Sequence, residues 1–354
     1  MPTAIGFAPE EREVKVFRND LRDIGVDISD GTARTLLFLA ERKFNRYDPY
    51  APGETFQQRL VEWLSNFEAA DRKTAMEIVA ELRFFNQSEM RSLAAATLYD
   101  VVNVIQGEDL AVSRASAASF VETIQSQTEA ALSKSLFVAM ADDVMFDFFR
   151  RNAQRLFPGL LRGNFVEYYK LSPESIDLVE HSRIFLLDQF SGSSRSFLRK
   201  EEDEWKGKLP TFCETWKQDL LESGAKVYYA PYIMSTVAQR ALSGNLGAWI
   251  RPEALRTQIG VIPTQIVPVA GCMSSDGGVS VDDTTQVSLL CDKYYVRFKE
   301  NVHTMVGGGC KHGFGAAGLV LVMYTNCPND SLYLIWHGYN DWKPLFPRVE
   351  HHRE

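Results

Sequence analysis

The chain changes its pattern of hydrophobic positions about a third of the way along. From Thr35 to about Gln127, apolar residues recur with the spacing of amphipathic helices. In the stretch TFQQRLVEWLSNF they fall at i, i+4, i+7, i+8 and i+11, one face of a helix: Phe56, Leu60, Trp63, Leu64 and Phe67. This spacing predicts an N-terminal helical region over residues 1–130, with its aromatic side chains buried in a core.

Beyond residue 133, short apolar runs alternate with stretches of helical spacing. SLFVAM precedes DVMFDFFRRNAQRLF, RIFLLD precedes SRSFLRKEEDEWKGK, and KVYYAPYI precedes STVAQRALSG. Strands that alternate with helices are typical of βαβ units, so residues 131–354 are predicted to form an α/β domain with a mainly parallel sheet. Ligands of such sheets bind outside the carboxyl ends of the strands. The residues just after these three apolar runs are therefore the candidate site.

The C-terminal third of the chain has a less regular pattern. Residues 246–282 are rich in Pro, Gly and Ser and predict a long excursion or loop. The stretch TTQVSLLCDKYYVRFKEN returns to helical spacing, while AGLVLVMY and SLYLIW are interpreted as two final strands.

Composition and charge exclude several classes of protein. A formal net charge of -8 argues against a broad basic surface for nucleic acid, because such binding needs many Lys and Arg side chains. No apolar run approaches the roughly 20 residues that cross a bilayer, and the N-terminus lacks the features of a signal peptide, so we expect a cytoplasmic protein. The 5 cysteines never occur as CxxC, which indicates reduced thiols rather than a disulfide framework or a zinc site.

The strongest chemical signal is the stretch IFLLDQFSGSSRS. Asp188 and Gln189 end an apolar run, and the small polar residues Ser191–Ser196 follow before a stretch of helical spacing. A strand, a tight turn and a helix start would point backbone N–H groups and the positive helix end at a bound anion. Gly192 permits a close approach of the backbone to the anion, and Arg195 supplies positive charge. The hydroxyls of Ser193, Ser194 and the neighbouring serines add hydrogen bonds. The alternative interpretation is an ordinary strand-to-helix turn in which a serine caps the helix.

Two further groups of residues are candidates for ligand binding. Asp142 follows the first apolar run, where it could approach a metal ion, and Arg150 lies about two helical turns later. The alternative is that Asp142 caps a helix whose arginines face solvent. Lys311 and His312 lie beside several glycines and could close over a ligand, or could belong to an exposed turn. The nearby GxGxxG pattern does not indicate a dinucleotide site, since an apolar strand-like run follows it rather than a helix.

The IFLLDQFSGSSRS segment resembles the PRPP-binding motif of type I phosphoribosyltransferases. It is more closely similar to the PRTase-CE family, phosphoribosyltransferase-like proteins of bacterial conflict and antiphage gene clusters, including some retron cassettes. The family's version has two acids, Phe, an apolar residue and then Gly-Ser-Gly-Lys-Thr. A second similarity lies in KHGFGAAGLVLVMYTNCPNDSLYLIW followed by DWKPLFPR, which resembles the closing segment of the family.

The resemblance implies a fold and a set of roles. It implies a type I phosphoribosyltransferase-like sheet in which Asp188 contacts the ribose hydroxyls and Ser191–Ser196 hold the 5′-phosphate. A Mg²⁺ ion would bridge ribose hydroxyls and pyrophosphate, with Asp188 and Asp142 as the candidate protein ligands. The implied chemistry is displacement at C1′ of the sugar, in which the protein orients the reactants and stabilises the leaving pyrophosphate.

The sequence departs from the family pattern at three positions. Gln189 replaces the second acid, Ser194 replaces a glycine and Arg195 replaces a lysine. The loss of an acid weakens metal retention and catalysis, whereas arginine keeps the positive charge for phosphate. Three functions therefore stay open: a phosphoribosyltransferase or nucleotide-cleaving enzyme of antiviral defence, a catalytically inactive sensor of a nucleotide or phosphoribosyl ligand, and a scaffold. In the scaffold the helical region would dock a protein partner encoded nearby, and an oligomer is compatible with each of the three.

Overall fold

The computed structural model describes most of the chain. The described residues are 9–109, 117–141, 145–172, 176–250, 259–267, 285–295, 312–338 and 341–349. The chain forms two compact units, one made of residues 1–87 together with 268–354 and the other of residues 88–267. We call the first the helical unit and the second the sheet unit. These limits differ from the expected division at residue 130, which was based on the point where helical spacing ends.

The helical unit contains the amphipathic helices at the start of the chain. Its elements are α1 (Glu11–Asp23), α2 (Asp30–Arg42), α3 (Phe56–Ser65), α4 (Arg72–Ala80), β1 (Arg83–Phe85), α11 (Gln286–Tyr295), β10 (Leu321–Met323) and a short helix α12 (Tyr333–Trp336). The apolar face predicted for α3 is buried. A capping box begins this helix, in which the Thr55 side chain accepts a hydrogen bond from the Gln58 amide while the Gln58 side chain accepts one from the Thr55 amide.

The end of the chain packs with its beginning in the helical unit. Strands β1 and β10 pair in parallel, and the Tyr47 hydroxyl donates to the Pro347 carbonyl at 2.7 Å. The Phe346 ring stacks on Tyr50 with 5.8 Å between ring centroids and contacts four further aromatic rings. The sequence pattern predicts that this closing segment, with its two expected strands, belongs to the α/β domain of residues 131–354. Its aromatic contacts place it with the N-terminal helices instead.

The prediction of a strand in SLYLIW is wrong, because this stretch forms α12. Its four helical residues are all buried, and the His337 amide donates to the Tyr333 carbonyl at 2.9 Å. A short run that is apolar on every side has no periodicity to separate a buried strand from a buried helix. The strand predicted within AGLVLVMY is confirmed as β10.

The sheet unit contains the parallel sheet. Its elements are α5 (Gln87–Asp109), α6 (Ala117–Ser133), β2 (Ser135–Ala139), α7 (Met145–Leu156), β3 (Phe165–Glu167), β4 (Arg183–Ser191), β5 (Arg199–Glu201), β6 (Glu204–Lys206), α8 (Lys208–Thr215), α9 (Lys217–Ser223), β7 (Lys226–Ser235), α10 (Thr236–Ile250), β8 (Ile259–Val261) and β9 (Gln265–Val267). The strand order is β3-β2-β4-β7-β8, β9 also pairs with β7, and every pair in this sheet is parallel. The prediction of an α/β fold with a mainly parallel sheet is confirmed.

The strand order places a crevice between β2 and β4. The chain runs outward from β2 to β3 at one side, then returns to β4 and continues to β7 at the other side. The crossover connections on the two sides therefore lead away from each other. Open α/β sheets bind their ligands at such a reversal, outside the carboxyl ends of the two central strands.

The segment after β4 is not a helix, contrary to the sequence prediction. Turns cover residues 192–198, and β5 and β6 then form an antiparallel hairpin that leads into α8. Between Leu198 and Trp205 the sequence has six consecutive charged residues, which leave a helix no apolar face to bury. The hairpin lets both ends of this stretch bury their apolar side chains while the charges lie outside.

The segment predicted as an excursion is more regular than expected where it is described. Leu246 lies within α10, and β8 and β9 both pair with β7. Among the described residues, no helix has both the length and the apolar character that crossing a bilayer requires.

Candidate functional site

The carboxyl ends of β2 and β4 form the candidate site. The Met140 amide donates to the Leu187 carbonyl at 2.8 Å, which continues the β2–β4 ladder and sets Met140 beside Asp188. A small cavity of about 10 Å³ opens there, roughly the volume that one water needs. Its lining residues come from β2 and the segment just after it, from α7, from β4 and from β7: Ala139, Ala141, Met145, Phe146, Leu187, Asp188, Gln189 and Tyr232.

Asp188 is the central polar group of this site. The Tyr229 hydroxyl donates to its Oδ2 atom at 3.1 Å, and the backbone amides of Gln189 and Phe190 also donate to the carboxylate. The side chain keeps some exposure to solvent, but protein atoms surround it closely enough for desolvation to dominate. Burial therefore raises the pKa of Asp188, against the lowering effects of the Lys208 charge and of these hydrogen bonds.

Lys208 is a functional candidate that sequence reasoning did not identify. It is the first residue of α8, and its Nζ atom donates to the Met140 carbonyl at 2.5 Å. The ammonium group consequently lies at the end of β2, where its charge acts on Asp188 of the adjacent strand. No local pattern marks this lysine, since the hairpin that carries it back to the sheet was predicted as a helix.

Strand β4 continues past Asp188 to Ser191, turns follow it, and the first half of the segment Ser191–Ser196 is buried. Ser191, Ser193 and Ser194 are each 5 % exposed or less. The hydroxyls of Ser191 and Ser194 lie 2.9 Å apart, and Ser194 also donates to the Ala238 carbonyl at 3.2 Å. Ser194 has a φ of 57°, in the left-handed region that favours the glycine expected at this position. In this conformation the two hydroxyls bond to protein atoms.

A helix does begin beside this loop, but it is α10 rather than a helix continuing from the loop itself. Ser235 caps α10, because its hydroxyl accepts from the Ala238 amide at 2.9 Å and donates to the Gly192 carbonyl. Gly192 and Ser194 are thus tied to the first turn of the helix that follows β7. Ser235 belongs to the neighbouring strand β7, and turns and a hairpin follow the loop itself, so the structure does not show the alternative in which a serine of the loop caps the next helix.

The second half of the loop differs from the first in its exposure to solvent. Arg195 and Ser196 are exposed, and the Arg195 guanidinium lies 4.0 Å from the Glu201 carboxylate of the hairpin. Arg199 donates to the same carboxylate at 2.6 Å and to the Arg195 carbonyl at 3.0 Å. The hairpin therefore holds the positive charge that was predicted to contact phosphate.

The remaining predicted residues are Asp142, Arg150, Lys311 and His312. Asp142 and Lys311 lie outside the described residues. Arg150 pairs with Asp147 on its own helix, in line with the alternative interpretation of this side chain as part of a solvated face.

His312 belongs to the helical unit, whereas the loop after β4 belongs to the sheet unit. It is 6 % exposed, with its Nε2 atom 3.2 Å from the Ser288 hydroxyl, and so is not part of an exposed turn.

The described residues at this edge do not fit a protein-built Mg²⁺ site. Mg²⁺ requires several oxygen ligands in near-octahedral geometry. Asp188 already accepts from Tyr229 and two amides, and the adjacent Lys208 ammonium would repel a cation. No cluster of three or more His, Cys, Asp or Glu in the described part of the chain is arranged to hold a metal ion.

Larger clefts lie elsewhere in each unit. A cleft of about 560 Å³ in the sheet unit is bordered by the hairpin, α8 and Trp249, and one of about 620 Å³ in the helical unit is bordered by Arg59, Trp336 and Arg348. Neither cleft is lined by Asp188 or by the loop Ser191–Ser196.

A comparison with protein families identifies the chain. The model of the family described as PRTase-CE matches residues 60–348. The chain belongs to the PRTase-CE family. The match extends over most of both units, so PRTase-CE membership covers the sheet with its Asp188 edge as well as the closing segment in the helical unit. It makes the protein phosphoribosyltransferase-like. No curated protein and no solved structure matches the chain.

Proposed function

We propose that the sheet unit binds the phosphorylated ribose of PRPP or a nucleotide at the carboxyl ends of β2 and β4. The observation that carries this proposal is the reversal of strand order between these two strands, with Asp188 and a serine-rich loop directly at the reversal. In this proposal Asp188 accepts hydrogen bonds from the ribose hydroxyls, and the loop Ser191–Ser196 donates to the phosphate. The PRTase-CE membership supports the same class of ligand.

Ligand binding at this edge requires a local rearrangement. The cavity of about 10 Å³ holds no more than a water, whereas small-molecule sites usually measure about 300–1,000 Å³. Ser194 donates to the Ala238 carbonyl in the first turn of α10, and Ser235 donates to the Gly192 carbonyl of the loop. Both hydrogen bonds would have to be exchanged for bonds to phosphate. A ligand that binds the opened loop better than the closed one would drive this change.

We further propose that the protein acts as a sensor rather than as a fast transferase. Gln189 is 4 % exposed and neutral, so the end of β4 has one carboxylate with which to stabilise a cationic sugar. A role in bacterial antiviral defence, with a partner protein encoded nearby, is part of this proposal and is supported by the gene clusters associated with the PRTase-CE family.

Calorimetric titration tests the binding proposal. PRPP, ribose 5-phosphate and a nucleoside monophosphate are titrated into the wild type and into Asp188→Asn, which removes the charge while keeping the shape. We expect Asp188→Asn to weaken binding about tenfold or more, as for loss of a charge-assisted hydrogen bond. Asp219→Asn, on the distant helix α9, is the matched control and should bind as the wild type does.

A measurement of pyrophosphate release separates a sensor from an enzyme. We expect no release above background when PRPP is incubated with candidate base acceptors. Unchanged affinity in Asp188→Asn would show that the ligand binds elsewhere, and rapid pyrophosphate release would refute the sensor while leaving the binding site in place.

A further inference from the structure

Lys208 occupies a position from which it can act as the cation of the site. Its Nζ atom lies 2.5 Å from the Met140 carbonyl, and Met140 extends β2 next to Asp188 on β4. An ammonium group has three N–H donors, of which this bond uses one. The side chain is half-buried, so one side of it can still be reached by a ligand.

The charges of the described residues balance at this edge without a metal ion. Asp188 contributes one negative charge, Gln189 contributes none, and Lys208 contributes one positive charge. A divalent cation placed beside Asp188 would leave an excess of positive charge close to Lys208. An anionic phosphate beside Lys208 would instead meet its ammonium group, and the Lys208 backbone amide, which donates to the Ser196 carbonyl at 3.0 Å, keeps this residue next to the loop.

We propose that Lys208 binds the phosphate of the ligand and takes the place of a divalent cation, so that binding is independent of Mg²⁺. This inference rests on the proposed function, because it concerns the same site and the same class of phosphorylated ribose. The Met140 carbonyl holds the ammonium at the end of β2 before the ligand arrives. Lysine suits this role since it supplies a compact positive charge with several donors.

The first test compares ligand affinity with and without metal. Ribose 5-phosphate and inorganic pyrophosphate are titrated into the wild type in excess Mg²⁺ and in EDTA, and the two affinities should agree within about threefold. Lys208→Met keeps the chain length and removes the charge, and should weaken binding about tenfold or more in EDTA. Lys208→Arg should retain most of the affinity, and Lys217→Met, an exposed lysine on α9, should leave it unchanged.

The second test requires no ligand. Mn²⁺ binding to the free protein is measured by electron paramagnetic resonance, with Mn²⁺ as the probe for a divalent cation. The wild type and Gln189→Asp should not bind it, whereas Gln189→Asp combined with Lys208→Met should, because this variant has two carboxyl groups and no competing ammonium. Thermal melting of every variant checks that the fold is kept.

The outcomes distinguish the two proposals. Binding that disappears in EDTA, Mn²⁺ binding by the wild type, or full affinity in a folded Lys208→Met variant would each overturn the role of Lys208 and leave the proposed function standing. Failure of every phosphate probe to bind the wild type, with or without Mg²⁺, would overturn the proposed function and this inference with it.

Discussion

Glu108 ties helix α5 to the sheet, and its replacement by glutamine should destabilise the sheet unit. Its carboxylate accepts hydrogen bonds from Arg183 Nε at 3.1 Å, from Lys226 Nζ at 3.0 Å and from the Tyr228 hydroxyl. Arg183 and Lys226 are the first residues of β4 and β7, so the contact lies at the amino ends of these strands, opposite to the candidate site. Glu108→Gln keeps the size of the side chain and removes its charge.

The expected loss of stability follows from how exposed the partners of Glu108 are to solvent. The Arg183 side chain is 10 % exposed, and a hydrogen bond to a charged group in such surroundings contributes about 1.5–3 kcal/mol. The Lys226 side chain is 46 % exposed, and solvent screening reduces its pair with Glu108 to less than about 1 kcal/mol. Glutamine retains one acceptor oxygen and so part of this network. We expect the free energy of unfolding to fall by about 2–3 kcal/mol at pH 7.

The pH dependence gives an independent check. Burial alone would raise the pKa of Glu108, but the hydrogen bonds from Tyr228, Lys226 and Arg183 outweigh it and lower the pKa below its ordinary value. A lowered pKa in the folded protein means that the stabilisation is fully present above the pKa of the unfolded chain, about 4.3, and is lost as the pH falls through the folded value. The difference between wild type and Glu108→Gln should therefore shrink as the pH falls below about 4.

Urea unfolding followed by circular dichroism at pH 7 and at steps down to pH 3 measures both effects. Glu222→Gln, at an exposed position on α9, serves as the control and should lie within about 0.5 kcal/mol of the wild type. A Glu108→Gln variant as stable as this control would refute the estimate. A loss of stability that stays constant down to pH 3 would show that it does not come from the ionised carboxylate.

Three further predictions concern the glycine before α8, the candidate site and a cysteine. Gly207→Ala should destabilise the protein by about 3 kcal/mol in thermal melting, because Gly207 has a φ of 119° and an added Cβ would lie 2.5 Å from the Phe197 carbonyl oxygen. Tyr229→Phe should cost about 1 kcal/mol and raise the pKa of Asp188 further, as followed by NMR titration of the carboxyl carbon, since it removes a donor to the carboxylate. Burial raises the pKa of Cys327 to about 12, so iodoacetamide should label this thiol only after unfolding, as mapped by mass spectrometry.

The sequence alone was sufficient wherever structure depends on local spacing. The helix from Phe56 follows from one apolar stripe, and β2, β4 and β7 follow from short apolar runs between helical stretches. The same alternation predicted the parallel sheet and pointed to Asp188 as the polar residue at a strand's carboxyl end. These features depend on residues only a few positions apart, so the spacing of apolar residues predicts them directly.

The tertiary structure decided whatever depends on contacts between distant residues. Tyr47 and Pro347 are far apart in sequence, yet their hydrogen bond helps place the closing segment with the first helices. The hairpin of β5 and β6 begins beside Phe197, whose ring stacks on Tyr229 of β7, a neighbour that no local pattern reveals. That hairpin returns Lys208 to the end of β2. Packing across the sheet therefore determines the position of the Lys208 ammonium. The position of the Asp188 carboxylate is determined by strand β4, in which Asp188 lies.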